Sequence, residues 1–91
     1  MEKVLLLNSG KTKSGVTVIS YAFKDPADRF KKGLVVRQQF IDLPDLHDSF
    51  KDESFPMNCQ AEFGYQDTYE GQARKVITKL IDNQGKTVFM I

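Results

Sequence analysis

The chain of 91 residues contains no tryptophan, one cysteine, one histidine and three prolines. Each scarcity removes a class of explanation. A lone Cys59 makes an internal disulfide impossible, which fits a reducing compartment. Together with the single His47 it also falls short of any closed zinc set. No apolar run approaches the roughly 20 residues that span a bilayer. The opening Met-Glu-Lys-Val-Leu-Leu-Leu-Asn has too short an apolar stretch for a signal peptide and lacks a small-residue cleavage site. The expectation is a cytoplasmic protein of bacterial or viral type. Repeats, linkers and low-complexity tracts are absent too, so one domain over residues 1–91 is expected.

What the chain does contain is ordinary in amount and uneven in place. Charged residues make up 27% and the net charge is +1. Residues 1–41 hold eight Lys/Arg against three Asp/Glu, +5; residues 42–70 hold one against eight, −7; residues 71–91 hold four against one, +3. Such segregation produces two electrostatic poles, one attractive to a polyanion, unless folding brings the poles together.

The pattern is organised around residues 10–23, Gly-Lys-Thr-Lys-Ser-Gly followed by Val-Thr-Val-Ile-Ser-Tyr-Ala-Phe. Gly10 and Gly15 supply the backbone freedom of a turn, with Lys11 and Lys13 at its tip. In the strand that follows, Ile19, Tyr21 and Phe23 share one face, and Val16, Val18 and Ala22 the other. The aromatic face is either core or a platform for flat ligands. A first strand is expected over 3–8, a second over 16–24 and a third over 34–41. In the third, Leu34, Val36 and Phe40 lie opposite Arg37 and Gln39. Pro44, the early acids Asp45 and Asp48, and the spacing of Leu43, Leu46 and Phe50 predict a helix of about two turns, closed by Pro56. Alternation then predicts a strand over 57–65, and strand–turn–strand around Asp82-Asn83-Gln84-Gly85. The expected fold class is mainly β: a five- to six-stranded OB-like barrel with one short helix between the third and fourth strands. An SH3-like barrel and an open α+β sheet write a similar string.

Catalytic signatures are incomplete in this sequence. Gly10-Lys11-Thr12 and Gly85-Lys86-Thr87 end like phosphate-binding loops, but the required upstream glycines are Leu5 and Leu80. Asp42, Asp45, Asp48, Asp52 and Glu53 lack the glycine and terminal glutamate of a calcium loop. No serine–histidine–aspartate motif is present, and Cys59 sits on the apolar face of its strand as a core residue. No catalytic residue, cofactor or metal is expected.

What remains is interleaving of cations with rings. Lys11, Lys13, Tyr21, Arg29, Phe30, Lys31, Lys32 and Arg37 lie in one half of the chain, and Tyr69, Arg74 and Lys75 follow later. Single-strand binding uses that combination, because cations track the phosphates while exposed bases stack on rings. Phe23, Phe40, Phe63 and Phe89 are assigned to the core, and Tyr21, Phe30, Tyr65 and Tyr69 to stacking. The basic hairpin, the aromatic strand after it and the late Glu-Gly-Gln-Ala-Arg-Lys-Val-Ile-Thr-Lys-Leu-Ile stretch give the chain its resemblance to small single-stranded DNA-binding proteins of phages and mobile elements, including the gene V type of filamentous phages. The resemblance implies an OB-fold, often a homodimer, that coats transient single strands. The acidic segment 42–53 departs from it. That segment is the basis of the alternative reading, an interaction module or inhibitor with a protein partner.

Overall fold

A computed structural model describes residues 1–26, 32–43, 45–50, 55–67, 71 and 73–91. Among these residues six strands and one helical turn follow in order: β1 (Glu2–Lys11), β2 (Thr17–Phe23), β3 (Val35–Ile41), α1 (Leu46–Ser49), β4 (Met57–Asp67), β5 (Ala73–Asp82) and β6 (Thr87–Met90). All belong to one antiparallel sheet in the order β3-β2-β1-β4-β5-β6. The expected fold class is therefore present: mainly β, with a single short helix between the third and fourth strands.

Every strand contributes inward side chains to one core, among them Val4, Leu6, Ile19, Val35, Ile41, Ala61, Ile77, Leu80 and Phe89. A sheet that keeps all these residues dry must coil on itself, which brings its third and fifth strands together. Antiparallel alternation makes β3 and β5 run the same way, and no backbone ladder joins them. The Gln39 side chain joins them instead. Its Nε2 donates to the Ile77 carbonyl at 2.9 Å, and its Oε1 accepts from the Ile77 amide at 2.8 Å. A side-chain amide thus stands where a strand's backbone would.

Two of the three register shifts between the described strands lie away from the short last strand and shape the barrel. β1 has a bulge between Leu6 and Asn8, and β5 carries one extra residue, Thr78, opposite the step from Glu62 to Phe63. Such extra residues add twist and bend, which closure requires. Beside the second bulge stands Gly64; a Cβ there would lie 2.8 Å from Thr78 Cγ2. Gly64→Ala is therefore expected to destabilise the fold by about 1–3 kcal/mol, read as a lower urea midpoint at unchanged slope. An unchanged midpoint would mean the bulge has room to yield.

The first hairpin is tighter than expected. β1 continues to Lys11, so Gly10 is a strand residue and the turn is confined to residues 12–16. The Thr12 amide donates to the Val16 carbonyl at 2.9 Å, the Val16 amide to Thr12 Oγ1 at 3.0 Å, and Gly15 takes the positive φ of 89°. The helix is shorter than the two turns expected: four residues, with Leu46 and Phe50 tucked into the core. It is held by the hairpin rather than by its own length. Thr17 Oγ1 accepts from the His47 amide at 3.2 Å, and Ser9 Oγ is hydrogen-bonded to His47 Nδ1 at 2.8 Å.

Candidate nucleic-acid interface

The β2 strand answers the question its aromatic face raised. Tyr21 is 2% exposed, and its ring lies 5.6 Å from Phe23 and 6.3 Å from Phe63, centre to centre. Tyr21 is a core residue, and its assignment as a base-stacking ring is corrected. The opposite face, with Ser20 and Ala22, turns outward. Those side chains are small enough to be overhung by their neighbours and are also buried.

On β3 the correction runs the other way. Leu34, Val36 and Phe40 do share a face, as their spacing requires, but it is the outer one: 57%, 61% and 62% exposed. Val35, Gln39 and Ile41 point inward. Phe40, assigned to the core from sequence, is a surface ring. The reason is Gln39: once its amide is spent on Ile77 inside the seam, strand parity sends residues 34, 36, 38 and 40 to the outside.

Strand alternation also separates the cations. The β1–β2 hairpin and α1 share one end of the barrel; the starts of β1, β3 and β5 share the other. Lys11 and Lys13 stand at the first end. There Lys11 Nζ lies 3.6 Å from Asp48, so at this point the basic and acidic segments meet rather than forming poles. Arg37, Arg74 and Lys75 gather at the second end. Arg37 pairs with Asp25 at 3.6 Å, and Lys75 pairs with Glu2 at 3.6 Å while lying 4.6 Å above the Phe63 ring. Arg74 crosses the seam and donates from Nη2 to the Gln38 carbonyl at 2.9 Å. Burial pushes the Tyr21 phenol above its usual value, and the charges of Arg37 and Arg74 pull it back. Both guanidinium groups therefore act on the same point. Lys32 is exposed, while Arg29, Phe30, Lys31 and Tyr69 lie outside the described residues.

Above the seam runs a groove of about 400 Å³, whose walls include Phe40 from β3 and Asp42 just after it, Tyr65 and Gln66 from β4, Val76 and Thr78 from β5, and Ile91. Tyr65 is 75% exposed. Two rings thus face solvent on opposite walls, and Arg74 is paired in register with Gln66 beside them. Sequence reading placed Tyr65 among the stacking rings but missed Phe40. Its alternation with Leu34 and Val36 was visible; the side on which water lay was not.

Among the described residues no group of three His, Cys, Asp or Glu side chains is placed to hold a metal ion, and no helix is long and apolar enough to cross a membrane. No protein-family model, curated protein or solved structure matches the chain.

Proposed function

We propose that this protein is a non-catalytic cytoplasmic binder of single-stranded nucleic acid, DNA before RNA, of the kind found in phages and mobile elements. The strand lies along the outer side of β3 and over the seam. Bases stack on Phe40 and Tyr65, and the Arg74–Arg37 end meets the phosphates. The observation that carries this reading is the pair of exposed rings on opposite walls of one groove with a guanidinium beside them. Stacking on a ring is sequence-tolerant and contributes about 1–3 kcal/mol per base, and a cation beside it supplies the salt-dependent part. The outer faces of the second and third strands are where OB-folds bind oligonucleotides.

The test is fluorescence anisotropy with a labelled single-stranded oligonucleotide and its duplex at two salt concentrations. Binding is expected to prefer the single strand and to weaken linearly in log–log with salt. Arg74→Glu is expected to weaken it by about tenfold or more, one phosphate contact replaced by a repulsion, whereas Lys13→Glu at the far hairpin has the smaller effect. No binding at low salt overturns the proposal.

A second reading rests on one different observation. Leu34, Val36 and Phe40 form an exposed apolar row on a strand at the edge of the sheet, a surface that suits a protein partner. In that case binding to a partner is insensitive to Arg74→Glu and lost on Val36→Asp. The acidic segment is the other route to a partner, and charge reversal at Asp45 and Asp48 reports on it.

A further inference from the structure

A second concavity lies on the outer surface, on the other side of β3's exposed row. Its volume is about 470 Å³, in the range of sites that hold small ligands, and its walls include Lys3, Leu5, Ala22, Leu34, Asn58 and Gln60. The hollow follows from local sequence. β2 places Ala22 between two larger neighbours in register, Leu5 on β1 and Val36 on β3, so the middle strand is recessed. The floor is apolar. One rim carries two carboxamides, Asn58 and Gln60, two residues apart on β4 and so on one face about 7 Å apart along the strand. Asn58 stands opposite Leu5, and Gln60 opposite Lys3. Among the described residues no hydrogen bond occupies either carboxamide. Among the described residues no carboxylate lines the hollow.

We infer that this hollow is a base seat belonging to the same interface, and that it selects adenine. The inference rests on the nucleic-acid reading above. An apolar floor and an aliphatic wall accept the flat face of a base. A carboxamide offers one donor and one acceptor side by side, which match adenine's N6 amino group and N7 in a bidentate pair. Cytosine offers that donor–acceptor pair on one edge only, N4 with N3, whereas adenine offers it on two, N6 with N7 and N6 with N1, one for each carboxamide. Lys3 supplies the cation for the attached phosphate. The row Leu34, Val36 and Phe40 connects the hollow to the ring-walled groove, so one strand can occupy both. The β3 platform provides sequence-tolerant grip, and the hollow adds preference at one base.

The experiment has two arms on the full chain. In the first, adenosine monophosphate alone is titrated and the side-chain amide signals of Asn58 and Gln60 are followed by NMR. Saturable shifts in both are expected, smaller with cytidine monophosphate; no shift, or equal shifts with the two nucleotides, overturns the inference. In the second, oligo(dA), oligo(dT) and oligo(dC) of equal length are compared by anisotropy. Wild type is expected to prefer oligo(dA) by about tenfold, and the double variant Asn58→Ala with Gln60→Ala to lose that preference while keeping its affinity for oligo(dT). Equal binding of all three by wild type, or a preference that survives the double variant, overturns it. Ala22→Leu, which fills the hollow, is expected to act as the double variant does. The two surface substitutions keep the test valid if that change at a buried position disturbs folding. Failure of every oligonucleotide to bind removes the function proposed above, and the mononucleotide arm still judges the hollow by itself.

Discussion

Gln39→Leu is expected to be the most damaging substitution of a polar residue in this protein, lowering stability by about 3 kcal/mol. Leucine matches the bulk of glutamine and keeps the seam apolar, so volume is not the issue. What is lost is a reciprocal pair. The Ile77 amide and carbonyl, both bonded to Gln39 in the wild type, are left facing a hydrocarbon. Each stranded backbone group costs about 1–3 kcal/mol, reduced where water reaches the opened seam. For a domain of this size the loss corresponds to roughly a 10–20 °C fall in melting temperature. Thermal unfolding measures it, and faster hydrogen exchange at the Ile77 amide locates it. A melting temperature unchanged by the substitution would show that the seam holds without the amide.

Gln39→Glu separates the two bonds. The carboxylate still accepts from the Ile77 amide but faces the Ile77 carbonyl with a second acceptor, so the charged form is disfavoured in the folded state. Its folded pKa then lies above the ordinary glutamate value of about 4.3. The sign follows: the variant is closest to wild type below that ordinary value, where the protonated carboxyl both donates and accepts. The penalty grows as pH rises through the raised folded pKa. Wild type measured over the same pH range corrects for the native groups around the seam, which include Arg37, Arg74, Tyr21 and Asp42.

The second large effect concerns binding alone. Phe40→Ala and Tyr65→Ala are each expected to weaken single-strand affinity by about 1–3 kcal/mol, roughly 5- to 150-fold. Because both rings are mostly exposed, stability is expected to change by less than about 0.5 kcal/mol. Tyr21→Phe is the contrasting control. Its ring is internal, so removal of the hydroxyl leaves affinity unchanged. Anisotropy titrations of the three variants, each checked by thermal melting, decide the matter. If both alanine variants bind as wild type does, the rings are not a stacking platform, and the exposed row on β3 is better explained as a protein contact.

Much of the architecture was legible because it is local. Alternation between Met57 and Tyr65, the β-branched and aromatic run before Phe23, and the Asp82–Gly85 turn specify strands and reversals through nearest-neighbour sterics alone. The helix was overestimated because Pro44 and the nearby acids are helix-start signals, whereas helix length depends on packing that two turns of chain do not contain. Among the described residues of this segment, Leu46 and Phe50 are buried in the core, and Leu43 and Phe55 pack against it.

The candidate site was less legible. The cations and rings were read as one groove, yet strand reversal places Lys11 and Lys13 at one end of the barrel and Arg37, Arg74 and Lys75 at the other. Tyr21 and Phe40 exchanged places between core and surface for a single reason. Period-two patterning tells which residues share a face and is silent on which face is dry. In β3 both faces carry apolar residues, Val35 and Ile41 on one and Leu34, Val36 and Phe40 on the other.

The sequence by itself determined the strands, the turns, the mainly β class and the grouping of residues by face, because these depend on contacts within a few residues. The tertiary structure alone decided which face of β3 meets water and which cations meet one another. Both were settled by Gln39 reaching Ile77 and by Arg74 reaching the Gln38 carbonyl, contacts 38 and 36 residues apart in sequence that exist only once the sheet has coiled.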